Sequence, residues 1–307
     1  DYGPLQDDHE LPQAVADAHG GLFLTYRNDS GGYLRYRPAG GQWSAAEPIP
    51  GGKVPLILTI DAADNLHAML AADNNSPACY SHKPAGGAWS ACETVPQPFG
   101  PRGLLVDGNG VVHLLADRDY YQRWPGGEWR PIAFPEGTTG LPQFALDRNG
   151  MVHFALNLDE TPAAPARTVH VPVFAGGVWG PQTELDRAEP YGVAISPFDM
   201  VGDVSGRLFV FGHTTEHEHG LVYAFRRLNG EWTPFSLIAP GVDYGVSAAA
   251  DSGGMLHVIY QGPGRSFYTQ ALPGLPWSPP LELGRFGDYW TAPEPIVGPD
   301  DSLFVAA

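Results

Sequence analysis

The sequence predicts an all-β fold: a seven-bladed β-propeller of four-stranded antiparallel blades, with residues 1–307 forming one domain. Three observations carry this. One turn motif recurs seven times, a tryptophan motif recurs six times, and the composition is dense in turn residues. The 307 residues include 39 Gly and 31 Pro; 43% are hydrophobic and only 17% charged. Such a chain is too apolar for disorder, and its glycines follow no collagen period. They fall between short apolar runs, as turn residues do in all-β proteins. A coiled coil, a helical bundle and an α/β nucleotide fold are disfavoured.

The first motif reads Asp17-Ala-His-Gly, Asp61-Ala-Ala-Asp, Asp107-Gly-Asn-Gly, Asp147-Arg-Asn-Gly, Asp203-Val-Ser-Gly, Asp251-Ser-Gly-Gly and Asp300-Asp-Ser. Each copy precedes a short apolar strand, such as Val112-His-Leu or Leu208-Phe-Val. An Asp that bonds the backbone two residues on, followed by a Gly with positive φ, closes a tight hairpin. The second motif, usually Gly-Gly-x-Trp, places Trp43, Trp89, Trp129, Trp179, Trp232 and Trp277 after a second hairpin. The period, about 40–55 residues, suits one four-stranded blade. In the fourth copy strands A to D are expected at 141–146, 152–156, 168–174 and 178–185. The blades span approximately 11–49, 53–95, 100–134, 140–185, 191–238 and 242–283, with the last built from 288–307 plus 1–6. That last copy offers only strands A and B. Residues 1–6 resemble a strand D, so the N-terminus is expected to pair with the C-terminal blade and shield its edge.

Charge narrows the partners. Lys and Arg total 17 against 34 Asp and Glu, a formal charge of −17. Nucleic acid asks for a basic patch, which is missing, and an anionic membrane surface is disfavoured for the same reason. No apolar run is long enough to span a bilayer. No signal peptide is visible, and a chain opening at Asp1 reads as mature or trimmed. Cys79 and Cys92 flank the turn at Pro84-Ala-Gly-Gly and stand roughly opposite each other across a hairpin. A disulfide there implies an oxidising compartment, secreted or periplasmic. The protein is expected to be a monomer whose partner is a glycan or another small molecule.

Strand direction sorts the loops onto two faces. The Asp-x-x-Gly and Gly-Gly-x-Trp turns share one face, where they are short and uniform. The D-to-A links and B-to-C hairpins share the other, where length and chemistry vary, as functional loops on rigid scaffolds do. That loop face carries His9, Arg102, Arg187, Tyr191, Tyr244, Asp288, Tyr289 and Trp290 on its links, and Tyr121 within a B-to-C segment. Aromatic rings beside Asp and Arg suit a carbohydrate, and a concave mouth of mixed polarity is the expected site. The segment His213-Thr-Thr-Glu-His217-Glu-His219 reads first as a solvated acidic loop. Its three imidazoles could otherwise hold a divalent metal, zinc or calcium. No metal or other cofactor is otherwise required. The strand-B histidines His67, His113, His153 and His257 alternate with Phe23, Phe209 and Phe304 in other copies. This marks a packed position with the ring nitrogen bonded to a turn, not four ligands around an axial iron. The six tryptophans are expected to pack blade on blade. An Asp-box, Gly-x-Ser-x-Gly, a P-loop, Gly-x-Gly-x-x-Gly after a strand and Cys-x-x-Cys are all missing.

The repeated Asp-x-x-Gly-x-[Leu/Val]-His strand with Gly-Gly-x-Trp-Ser resembles the BNR-like propeller superfamily, which includes ulvan-type polysaccharide lyases and rhamnosyl-glucuronate-cleaving enzymes. The resemblance covers nearly the whole chain and rests on scaffold motifs. It implies a His or Tyr that removes the proton beside a uronate carboxylate and an Arg that neutralises that carboxylate. Residues of those kinds on the loop face are His9, Tyr191, Tyr244 and Arg102, with Arg187, Tyr121, Asp288, Tyr289 and Trp290 as substrate contacts. The expected function is cleavage or binding of a uronate- or rhamnose-containing glycan by a lyase or hydrolase. A non-catalytic lectin-like or protein-binding propeller is the first alternative. A metal-dependent hydrolase using His213, His217 and His219 is the second.

Overall fold

In the computed structural model the repeats fold as hairpins stacked into sheets. The structure describes residues 12–306 apart from 29, 72–75, 97–99, 117, 160–165, 175, 186–194, 215–219, 243, 263, 285–292 and 299–300. Six antiparallel four-stranded blades follow one another. The first holds Gln13–Ala16, Leu22–Asn28, Gly31–Arg37 and Glu47–Pro48 as strands A to D. The second holds Val54–Ile60, Leu66–Ala71, Cys79–Lys83 and Glu93–Thr94, and the third Pro101–Val106, Val112–Ala116, Asp119–Arg123 and Trp129–Ile132. The fourth has Thr138–Leu146, Val152–Leu158 and Arg167–Phe174, with strand D split into Val178–Trp179 and Thr183–Glu184. The fifth has Ser196–Gly202, Leu208–His213, Leu221–Arg226 and Ser236–Ala239, and the sixth Tyr244–Ala250, Leu256–Gly262, Arg265–Ala271 and Leu281–Gly284.

The blade count departs from the expectation. The described residues form six four-stranded blades, not seven, and the last repeat is a two-stranded sheet of Glu294–Val297 and Leu303–Ala306. Its inner strand touches strand A of the sixth blade on one side and of the first on the other. The physical reason is the one already visible in the repeat: this copy contains an A strand, an Asp turn and a B strand, and no C or D. The strand expected from residues 1–6 lies outside the described residues.

Packing follows from the strand pattern. In blades two to six the B strands are buried on both faces, Leu66–Ala71 and Leu208–His213 along their whole length, because each of these blades is covered by a neighbour on either side. Met69, Ala71 and Tyr80 of the second blade meet Leu104, Leu114 and Trp129 of the third. The tryptophans bridge blades as expected. Trp129 meets Tyr80 edge-on at 5.4 Å and Trp277 meets Tyr223 at 5.1 Å. Trp179 donates its indole N–H to the Ala133 carbonyl at 2.7 Å.

Strand D is shorter than the sequence suggests. After the tryptophan a serine takes over part of the ladder: the hydroxyls of Ser44, Ser90 and Ser278 accept the backbone N–H groups of Tyr36, His82 and Gln270 at 3.0–3.1 Å. In the fourth blade Pro181 lacks an N–H and falls between the two halves of the split strand. Cys79 and Cys92 are bridged across the second blade's outer hairpin, their Cα atoms 5.6 Å apart. Closing a loop of this size contributes about 3 kcal/mol in the chain-entropy account.

Candidate functional site on the loop face

The two faces use their polar groups differently. On the turn face every described Asp of the Asp-x-x-Gly motif is fully engaged. Asp107 Oδ1 accepts the N–H groups of Asn109 and Val111, each at 2.9 Å, and Gly110 takes φ 74°. The same pattern recurs at Asp61, Asp147 and Asp203. The second carboxylate oxygen faces strand B. His67 Nε2 lies 3.3 Å from Asp61, and His113, His153 and His257 lie 3.4 Å from Asp107, Asp147 and Asp251. At His113 and His153 this approach is an electrostatic contact without hydrogen-bond alignment.

A carboxylate can only accept, so it fixes the proton on Nε2 and leaves Nδ1 as an acceptor. Tyr80 and Tyr120 then donate to Nδ1 of His67 and His113 at 2.6 Å, and His170 takes that role for His153 at 2.8 Å; the Tyr268 hydroxyl lies 2.7 Å from His257 Nδ1 and donates to Gln270 Oε1 at 2.6 Å. Where strand B carries Phe, something else caps the aspartate. Tyr36 donates to Asp17 at 2.8 Å in the first blade, and Arg207 donates to Asp203 at 2.6 Å in the fifth. These Asp–His–Tyr chains look like acid–base relays, but their histidines are only 2–7% exposed and the arrangement is repeated. They are scaffold, as the His/Phe interchange predicts. Burial pushes the His67, His153 and His170 imidazoles below their ordinary pKa, His170 to about 3. Burial and the Asp17 hydrogen bond act on Tyr36, with the hydrogen bond larger, and raise it to about 12.

The loop face is irregular. Strand A of blades two to six breaks register near its loop-face end, where extra residues stand opposite strand B. The interrupted positions are Leu56, Arg102, 140–142, Phe198 and Gly245. Bulges bend a strand and re-aim side chains, and they are common next to sites. The fourth blade has the largest, with Gly140 at φ 66° and Leu141 exposed. Beside it opens a cleft of about 220 Å³ lined by Arg118, Phe134, Pro135, Gly137, Thr138, Gly140 and Pro142. Arg118 comes from the B-to-C hairpin of the third blade. The others come from the link into the fourth blade and from its inner strand.

Of the residues singled out in the sequence, Arg102 is exposed at the third blade's bulge. Tyr244 opens the sixth blade's strand A, paired with Gln261. Tyr121 is a correction to the loop reading. It lies inside strand Asp119–Arg123, 3% exposed, in the core between the second and third blades. The reason is that the preceding hairpin turns in two residues, Ala116 pairing directly with Asp119, so strand C begins before the tyrosine. Burial, then Asp119, raises its hydroxyl pKa. His213 ends strand B of the fifth blade, 7% exposed, with its ring edge-on to Phe198 at 5.9 Å. Among the described residues no three His, Cys, Asp or Glu side chains are grouped to hold a metal. His9, Arg187, Tyr191, His217, His219, Asp288, Tyr289 and Trp290 lie outside the described residues. Sequence reasoning passed over Arg118. Its signal was the two-residue spacing between the apolar run at 112–116 and the next strand.

The fold defines a class, the β-propellers. A streptogramin B lyase superposes with TM-score 0.64 at 13% identity, covering 98% of this chain and 92% of that one. Virginiamycin B lyase from Staphylococcus aureus gives 0.61 at 15%, covering 93% and 88%. A polysaccharide lyase of family PL25, an ulvan lyase bound to -[GlcA(1-4)Rha3S]-, gives 0.55 at 12%, covering 95% and 88%. These likenesses establish the propeller. No protein-family model and no curated protein matches the sequence.

Proposed function

We propose that the protein is a carbohydrate-active propeller that cleaves an acidic glycan from its loop face by β-elimination. One observation carries this reading. Among the described residues the turn face consumes its polar groups in repeated scaffold bonds, whereas the loop face offers a cleft, a three-residue register break in the fourth blade where the other breaks skip one residue, and arginines that do not repeat. That asymmetry suits one unique site rather than the repeated sites of a multivalent lectin. Lyases stand among the structural neighbours, one of them with a glucuronate-containing ligand, which favours elimination over hydrolysis.

In such a step a base removes the proton on the carbon bearing the uronate carboxylate. The carbon–oxygen bond to the leaving sugar breaks, that oxygen takes up a proton, and a carbon–carbon double bond remains in the product. Tyr191, Tyr244 and His9 are the proposed bases or acids, and Arg102 the group that stabilises the charge developing on the carboxylate. The disulfide supports a secreted or periplasmic setting.

The test is incubation with a panel of uronate-containing polysaccharides. We expect a rise in the ultraviolet absorbance of unsaturated uronate, and a fall in rate of about 10²–10⁴-fold on alanine substitution of the true base. New reducing ends without that absorbance would replace elimination with hydrolysis. Silence in both assays would leave a binding module.

A further inference from the structure

We propose that the cleft between the third and fourth blades is an accessory subsite. It grips a carboxylate on a ligand unit away from the reacting bond, with Arg118 as the gripping residue. The inference deepens the reading of the loop face as a glycan site, and it rests on that reading only for the identity of the larger ligand.

The first observation is the cation. The protein carries a formal charge of −17, and several of its arginines are spent on internal carboxylates. Arg123 pairs with Glu93, Arg207 with Asp203 and Arg265 with Glu282. Arg118 makes no hydrogen bond or ion pair among the described residues, yet it lines the cleft. It sits at the tip of a two-residue hairpin closed by the Ala116–Asp119 pair. Asp119, the residue after it, is held in the ladder by that pair.

The second observation is the shape. The opposite wall exists because strand A of the fourth blade breaks register between Thr139 and Gln143. No atom lies within 4 Å of where a β-carbon on Gly137 would stand, and that residue holds φ 80°. The link is fixed, with the Thr138 hydroxyl donating to the Pro135 carbonyl at 2.7 Å and the Asp159 N–H to the Gly137 carbonyl at 2.8 Å. A volume of about 220 Å³ is below the roughly 300–1,000 Å³ of a pocket that encloses a whole ligand. It suits one end of a longer one.

The third observation sets the ligand's charge. Exposed Asp119 and Glu136 stand close in sequence to the lining residues. They disfavour added negative charge the more strongly the higher that charge is, and a planar guanidinium matches the two oxygens of a carboxylate. The cleft lies at the B-to-C tip and the interblade link rather than on the innermost strands alone. Arg102 interrupts the inner strand of the same third blade whose B-to-C tip carries Arg118, so a ligand chain that meets Arg102 could extend outward along that blade to the cleft.

The experiment is equilibrium binding of glucuronate, glucose and glucose 6-sulfate to the whole protein by ligand-observed NMR, comparing wild type with Arg118→Gln and Arg118→Lys. Glucuronate should bind saturably in the millimolar range, and glucose should not. Arg118→Gln should weaken glucuronate about tenfold or more, and Arg118→Lys should recover part of that loss. Melting temperatures of all three proteins should coincide. Equal glucuronate affinity in wild type and Arg118→Gln would overturn the proposal, as would no saturable glucuronate binding. Glucose 6-sulfate binding as tightly as glucuronate would overturn the carboxylate preference. Turnover is not needed for this readout. If the polysaccharide panel is silent while Arg118-dependent binding persists, only the lyase reading fails; where turnover exists, Arg118→Gln should raise KM and leave kcat unchanged.

Discussion

Asp64 and Asp301 are the only described non-glycine residues at positive φ, 60° and 59°. Asp64 occupies the place where the turn motif elsewhere has Gly, and so does Asp301, because the seventh turn opens at Gly298 rather than at the expected Asp300, with the Asp301 N–H donating to the Gly298 carbonyl at 2.9 Å. A side chain in that conformation costs roughly 1 kcal/mol or more, and each offsets it with a latch to the preceding blade. Asp64 accepts the Ala18 N–H at 3.0 Å, and Asp301 accepts both the N–H and the hydroxyl of Ser252 at 2.8 Å. A net hydrogen bond is worth about 1 kcal/mol, so strain and latch nearly cancel. Asp64→Gly should therefore leave the urea midpoint almost unchanged, while Asp64→Ala, which keeps the strain and loses the bond, should cost about 1–2 kcal/mol. An unchanged midpoint in Asp64→Ala, with Asp64→Gly stabilised, would show the latch to be idle. The sequence displayed the departure at Asp64 plainly, whereas reading the seventh turn from Asp300, two residues late, hid the one at Asp301. It could not display their purpose, because the partner is a backbone N–H about fifty residues away in the chain, supplied only when blades stack.

At the scale of the element, the buried imidazoles make blade packing acid-sensitive. His170 is held near 3 by burial, with smaller contributions from His153 and Arg226. Its folded pKa lies below that of the unfolded chain, about 6.5. The stabilisation is therefore complete above about pH 6.5 and is lost as the pH falls toward 3, on the order of 2 kcal/mol by pH 5. His67 and His153 act in the same direction. Burial alone would raise the carboxyls of Asp61, Asp107 and Asp147, but their hydrogen bonds outweigh it and hold them low. Their contribution disappears only below about pH 3.8, so the two windows separate. Falling net charge toward the pI near 4.8 works against the histidine limb, which makes the comparison between variants the informative one. His170→Tyr copies the pairing of Tyr80 and Tyr120 and should flatten the loss of urea stability between pH 6.5 and 5; an unchanged slope would contradict the assignment. In the second blade, Cys79→Ala with Cys92→Ala should lower stability by about 3 kcal/mol, and a change below 1 kcal/mol would show the bridge to be ornamental. These elements were readable in advance where spacing sufficed: the hairpins, the cross-strand cysteines and the His/Phe interchange. Strand D was not, because a serine hydroxyl or a proline ends its backbone ladder, and periodicity does not register such substitutions.

At the scale of the molecule, the repeat announced a ring and overcounted its blades by one. The seventh motif was read as a blade, but a turn motif certifies only the two strands around it. The site was legible as a face, through strand direction and loop variability, and less so as residues. Tyr121 was misplaced because a two-residue hairpin begins strand C earlier than the polar spacing suggested, and the same tight turn is what presents Arg118. If activity on an acidic glycan is found, prolonged treatment with a chelator should leave it intact, since no metal enters the proposed elimination; loss of activity restored by zinc or calcium would move the weight to the His213, His217 and His219 segment.

The central claim is a division of labour, with ligand on the loop face and stability on the turn face. Hydrogen exchange of the whole protein, with and without its glycan or with glucuronate, tests it most directly. The account predicts slowed exchange at 101–104, 116–119 and 134–142, and no change at the turns 107–111, 147–151, 203–207 and 251–255. Protection concentrated at those turns, with the loop face unaffected, would contradict it.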